Sequence, residues 1–301
     1  MSASLYRVLL PDPGLRLFVV EGKAVVEEAV ERHQLSAGSA VPLGRALLAA
    51  SLLAWDAKSG NRITLQFKSK GPIGAVVADA HPDGSVRGYV HVPQIQFPLA
   101  DVQRLAHAAL GNRGAAQLVR DTEGGLSTGQ VQLVTGGIDR DVEALISASE
   151  GERGALGLGV FVASAGDDEG FDLTTAMGAM VLALPDADPY AFDEVARRVR
   201  ALSDQPWQGN MLDLLTHLSG DYRHETMLMQ DLRYDCTCST ERVAGVLISL
   251  GVDELRSMAA DPGYGEIVCH YCNHAYRFEE EALLLMADGL QPIEATPLGE
   301  A

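Results

Sequence analysis

Apolar and polar positions alternate over Arg62–Ser69, where Ile63, Leu65 and Phe67 share one face. That period of two marks a half-buried strand. Leu15–Glu21 reads as another strand. Ile73–Asp79, the turn His81-Pro82-Asp83-Gly84 and Val86–Val92 continue as an antiparallel meander. A spacing near 3.6 replaces the alternation at Ala24–Gln34, where Val26, Ala29 and Val30 recur on one side of a helix. Pro42–Lys58 is apolar on most sides and predicts a longer, largely buried helix. Further strands are expected at Gln130–Thr135, Gly157–Ala165 and Gly178–Leu184, with a helix at Asp139–Ser149. Grouped strands with few helices predict an α+β fold with an antiparallel sheet, not a doubly wound one.

Pro185-Asp-Ala-Asp-Pro189 breaks this pattern. Beyond it, Tyr190–Leu202 and Asn210–Leu218 have amphipathic helical spacing, and charges become dense through His224–Asp235. Four segments follow: an N-terminal α+β domain with packed helices (1–185), a helical linker (186–235), a small C-terminal domain (236–288) and a disordered tail (289–301). Within the linker, Met227, Leu228, Met229 and Leu232 read as buried packing, or alternatively as a surface for a partner.

A length of 301 residues favours two domains over one. The net charge of −18 opposes a nucleic-acid partner, because phosphates are neutralised by Lys and Arg and no basic run exceeds Lys68-Ser-Lys70 or Arg197-Arg198. No charge-free apolar run has the ~18 residues of a membrane span, and the N-terminus lacks a signal-peptide layout. A soluble, cytoplasmic protein without membrane partners is expected. Ser51 and Ser149 have no nucleophile-elbow context, and Gly151–Gly159 does not meet a dinucleotide fingerprint. The histidines form no catalytic arrangement, so an enzyme is not expected.

The chemistry concentrates in four cysteines: Cys236-Thr-Cys238, a spacer of 30 residues, then Cys269-His-Tyr-Cys272. A reducing compartment keeps such thiols free, and two close pairs suit one metal better than permanent disulfides. Four soft thiolates in tetrahedral array fit zinc, one ion per chain. Ser239 or Thr240 is placed to cap a helix through Arg242–Leu250, and Asp253–Ala260 predicts a second. Glu266–Val268 and Ala275–Phe278 then flank the second pair as a hairpin. About 50 residues bury too little surface to fold securely unaided, and metal binding would supply the missing energy. An inert zinc staple is the plain reading. The closeness of the pairs and the nucleophilicity of thiolates favour an oxidation-sensitive switch. His270 and His274 are alternative ligands, and a thiol–disulfide oxidoreductase using Cys269 and Cys272 is a third reading, without a thioredoxin-like context.

These residues resemble a known family. Cys236-Thr-Cys-Ser-Thr-Glu-Arg-Val, Leu250-Gly-Val-Asp-Glu-Leu-Arg-Ser-Met and Glu266-Ile-Val-Cys-His-Tyr-Cys-Asn-His-Ala-Tyr-Arg-Phe look like the redox-regulated chaperones of the heat shock protein 33 family. Leu17-Phe-Val-Val-Glu-Gly, Ala50-Ser-Leu-Leu, Ile63-Thr-Leu-Gln-Phe, Gly71-Pro-Ile and Gly84-Ser-Val-Arg-Gly-Tyr-Val extend the likeness. The resemblance implies a cytoplasmic holdase of the oxidative stress response, working without ATP or turnover, and inactive while reduced and zinc-bound at Cys236, Cys238, Cys269 and Cys272. It implies that oxidation forms the disulfides Cys236–Cys238 and Cys269–Cys272, releases zinc and unfolds the C-terminal domain. The linker then loosens, the chain forms a homodimer, and unfolding client proteins are bound.

Overall fold

A computed structural model of the chain describes residues 3–56, 62–98, 101–122, 125–151, 153–166, 170–289 and 296–297. They form two compact units, Met1–Asp235 and Cys236–Ala301. The first begins with β1 (Ser4–Leu10), β2 (Leu15–Glu21), α1 (Lys23–His33) and α2 (Ala37–Asp56), then the meander β3 (Ile63–Ser69), β4 (Ala75–Ala80) and β5 (Ser85–Val90). α3 (Val102–Leu110), β6 (Gly114–Thr122), β7 (Gly125–Gln132), α4 (Ile138–Glu150), β8 (Gly154–Ser164) and β9 (Phe171–Ala183) follow. α5 (Pro189–Ala201), α6 (Met211–Ser219), β10 (Glu225–Asp231) and β11 (Arg233–Tyr234) complete it.

The strands make two sheets, ordered β10-β1-β2-β9-β8 and β11-β5-β4-β3-β6-β7. Every pairing is antiparallel except β11 on β5. The α+β class and antiparallel sheets match the expectation from sequence. The central strand β2 shows how the layers arise. Its Phe18 and Val20 join the core around α2, while Leu15, Leu17 and Val19 join a second core with α5 and α6. Both faces of this sheet are therefore covered, which is why β2 is almost continuously apolar. In the second core, Phe192, Val195, Val199, Leu214, Leu215 and Leu218 lie against β1, β2 and β9. Each such large side chain contributes about 1.5–3 kcal/mol on burial.

Helix α2 is long and apolar enough to cross a membrane by length and composition, yet Ala37–Ala54 is wholly buried in protein. It starts five residues before the Pro42 expected to open it. Backbone bonds from Ser39 and Ala40 to the Ser36 carbonyl close its first turn. The Ser36 hydroxyl also exchanges hydrogen bonds with the main chain of Ile95, at 2.8 Å each way. Gly38 lets that segment approach, since a Cβ there would lie 2.4 Å from the Ile95 carbonyl. The expected end at Lys58 lies outside the described residues.

Residues 186–235, expected as a helical linker, belong to the first compact unit and are helical only in part. α5 and α6 form as predicted, but β10 and β11 are strands at the edges of the two sheets. The pattern concealed β10 because both of its faces are solvated, so no alternation was imposed. Of the segment read either as packing or as a partner surface, Met227, Leu228 and Met229 are 57%, 52% and 62% exposed, whereas Leu232 is buried. β1, α3 and β6 were not anticipated, and β7 and β9 begin earlier than expected.

The second unit comprises α7 (Thr240–Ile248), α8 (Val252–Ala260), β12 (Tyr264–Val268), β13 (Ala275–Glu279), α9 (Glu280–Ala287) and β14 (Thr296–Pro297). The Ser239 side chain accepts from Arg242 N–H, capping α7 as predicted. Among the described residues its core has ten buried side chains, three of them alanine, around Leu247, Leu255, Tyr276, Phe278, Leu283 and Met286. Such a core is small for an independent fold. The tail expected to be disordered lies outside the described residues, apart from Gly289 and the two residues of β14, which pair with Tyr276 and Arg277.

Candidate metal centre

Two local structures deliver the four sulfurs. Cys236 and Cys238 lie on the extended stretch leading into α7, where the Arg242 guanidinium donates to both the carbonyl and the hydroxyl of Thr237, at 2.7 Å each. That grip fixes the residue between the two cysteines. Cys269 and Cys272 occupy the turn joining β12 to β13, whose last register pair is Val268↔Ala275. The turn closes through Cys269 N–H to the His274 carbonyl at 2.9 Å and Asn273 N–H to the Cys269 carbonyl at 2.8 Å. Asn273 takes a left-handed φ of 57°, which asparagine tolerates better than most side chains.

All four sulfurs lie within 4.8 Å of one another, and among the described residues they are the one cluster of at least three metal-binding side chains so grouped. The Cys236–Cys269 and Cys238–Cys272 sulfurs are 3.7 and 3.4 Å apart. A tetrahedron of sulfurs at about 2.3 Å from zinc has edges of about 3.8 Å, so the cluster is near the size a zinc ion requires. His270 and His274 are not in the group. The His274 ring stands edge-on to Tyr276, with centroids 4.6 Å apart.

The electrostatics also favour a cation. Hydrogen bonds from the Cys269 and then the Cys272 thiol push the Cys236 thiol far down. The same contacts with Cys236 and Cys269 push Cys272 far up, because a second thiolate would sit against the first. Cys269 is raised as well, chiefly by Cys236. Backbone N–H groups favour the thiolate forms: Cys238 toward Cys236, Tyr271 and Cys272 toward Cys269, and His274 toward Cys272. Without a cation the cluster cannot ionise fully, and a divalent ion removes that conflict. The donor set therefore fits zinc, which the four cysteines together would hold with no position left for substrate.

Two contributors were not assigned a role from sequence. The Tyr276 hydroxyl donates to Cys238 Sγ at 3.1 Å, and burial followed by that bond raises its own pKa. Its place on β13 beside buried Phe278 was the available signal. Arg242 is the other. Ser51, considered as a nucleophile, is buried, and its hydroxyl donates to the Leu47 carbonyl at 2.8 Å within α2. It has no access to a substrate.

A family model described as "Hsp33 protein" matches residues 3–279. Proteins named 33 kDa chaperonin from Synechococcus sp. and Microcystis aeruginosa are 35% and 33% identical to it. The alignments cover 91% and 97% of this chain and 89% and 99% of theirs. A crystal structure of the 33 kDa chaperonin (heat shock protein 33 homolog) from Thermotoga maritima superposes with a TM-score of 0.83 at 29% identity, covering 96% of this chain and 98% of that one.

Proposed function

The chain belongs to the Hsp33 family, and on that premise we propose that it is an ATP-independent holdase chaperone switched on by oxidation of Cys236, Cys238, Cys269 and Cys272. The observation that carries the reading is four sulfurs gathered within 4.8 Å on a unit whose own core is small. Family membership along nearly the whole chain supports the chaperone activity, exercised on unfolding proteins in the cytoplasm without enzymatic turnover.

In the reduced state the four cysteines hold one zinc ion. Cys236 and Cys238 before α7 and Cys269 and Cys272 in the β12–β13 turn would be joined through such an ion, whose binding energy, about 10–16 kcal/mol for structural sites, would add to folding. A thiolate attacks peroxide, breaking the O–O bond to give a sulfenic acid and a hydroxide that leaves as water on taking up a proton. The neighbouring thiol then displaces the hydroxyl as a second water, so two thiols lose two electrons to each peroxide. Pairing Cys236 with Cys238 and Cys269 with Cys272 withdraws every ligand atom while leaving the two halves of the unit unlinked. The small core of Val243, Leu247, Leu255 and Phe278 then has to stand alone.

The linker over 186–235 responds next. β11 ends at Tyr234, two residues before the first ligand, so the unfolding unit is its direct continuation. Release of α5 and α6 uncovers Val8, Leu10, Leu15, Leu17, Val19 and Val181, an apolar sheet face. That face supplies capture of unfolding chains and a surface for the homodimer.

The test treats zinc-loaded protein with peroxide at mild heat and follows free zinc, circular dichroism and light scattering of a thermally unfolding reporter. Zinc release accompanied by suppressed scattering supports the proposal. Retained zinc with no suppression means an inert staple, and catalytic turnover of small disulfides means an oxidoreductase.

A further inference from the structure

We propose that β10 is a placeholder, and that the edge of β1 beneath it takes an extended segment of the client as an added strand. This rests on the holdase reading and names where and by what chemistry a client is held. β10 is the outermost strand of its sheet and pairs with β1 from Ser4↔Asp231 to Leu9↔Glu225. Residues 225–229 are all exposed, so successive side chains on both faces of the strand bury little. What seats this stretch is the main-chain ladder, and that ladder is interrupted by a register shift between Arg7 and Val8. The firm anchorage comes afterwards. Gln230 donates to the Asp83 carbonyl at 2.8 Å, Leu232 enters the core, and Arg233 bonds Asp83 at 2.9 Å.

β1 behaves differently. Leu5, Val8 and Leu10 are buried, and its other edge pairs with β2 along all seven residues. It therefore remains a strand when β10 leaves, and alternate residues present free N–H and C=O groups. A free edge accepts any extended backbone. The slot sets almost no demand on side chains, as the solvated β10 shows, so sequence matters little. It does demand unpaired extended main chain, which a folded protein offers only at short, protected sheet edges because its buried backbone groups are paired. Selection of unfolding chains of any sequence follows from that one requirement.

The experiment is hydrogen exchange on the full chain, read on the peptide spanning β1, with reduced carboxymethylated lactalbumin as a permanently unfolded probe. Oxidation should speed exchange of the outward β1 amides at least about tenfold, and the probe should restore protection to within about twofold of the resting state. A ten-residue Val-Thr peptide should compete with the probe, and the same peptide N-methylated at alternate residues should need more than about tenfold higher concentration. If the probe is bound while β1 stays unprotected, or if both peptides compete equally, the edge is not the site, although the holdase reading stands. Protection that returns without the probe and rises with protein concentration assigns the edge to a second copy and overturns the proposal. If the probe is not bound after zinc release, the holdase reading fails and the proposal with it.

Discussion

Replacing Gly157 of β8 by alanine should activate the chaperone without oxidant. A Cβ at this position would lie 1.8 Å from the carbonyl oxygen of Val199 on α5 and 2.7 Å from its carbon. The obstruction is backbone, so no rotamer change relieves it, and α5 must retreat by about 1.5 Å to reach ordinary contact distance. A gap of that size forfeits at least half the dispersion attraction of Phe192, Val195 and Val199 with the sheet. Overpacking of this kind costs about 3 kcal/mol, which multiplies the undocked fraction of α5 roughly 100-fold. The assay is light scattering of an unfolding reporter with reduced, zinc-loaded G157A, alongside hydrogen exchange in α5 and β2. Suppressed aggregation with faster exchange in α5, intact β2 and zinc still bound is the expected result. If α5 exchanges faster but capture still requires peroxide, the face beneath α5 and α6 is not what oxidation uncovers.

Three further outcomes follow from the second unit. Gly245 lies within α7 with nothing within 4 Å of a Cβ, so Gly245→Ala should stabilise the unit by about 0.5–1 kcal/mol; stopped-flow fluorescence should then show slower unfolding after peroxide, and an unchanged rate counts against the unit's own stability setting the switch. Tyr276→Phe keeps the ring and removes the hydroxyl bonded to Cys238 Sγ, so zinc affinity should fall about tenfold in a chelator competition. Stripping the metal with a chelator under reducing conditions should remove exchange protection at Val243, Leu247 and Phe278 while β2 and β9 keep theirs; a metal-free unit that stays folded would refute the dependence on zinc.

Much of the fold and site is legible in the residues themselves, and the gaps have physical causes. Leu15–Glu21 and Ile63–Ser69 are fixed by core packing on at least one face, so their patterns give the strands to within a residue. β10 has no buried face, and its pairing lives in main-chain bonds that leave no trace in side-chain chemistry. The start of α2 was hidden because Pro42 looks like an opening residue, while Ser36 and the chain at Ile95 close the turn before it. The four cysteines were readable because thiolate chemistry depends on residue type and local spacing. The Tyr276 hydroxyl was not, since its distance to Cys238 depends on how the hairpin folds back over the stretch before α7.

Activation turns on which sulfurs join. In the resting structure Cys236 meets Cys269 at 3.7 Å and Cys238 meets Cys272 at 3.4 Å, contacts that run across the pairs. Disulfides there would close loops between residues 33 and 34 positions apart, and each alone would stabilise the folded unit by about 4 kcal/mol through the unfolded chain. Neighbour disulfides close only three- and four-residue loops and leave the unit free to unfold. Disulfide mapping by mass spectrometry of the oxidised, aggregation-suppressing protein decides between them. The expected pairs are Cys236–Cys238 and Cys269–Cys272, each contained within one short peptide. Active protein carrying Cys236–Cys269 and Cys238–Cys272 would contradict that pairing.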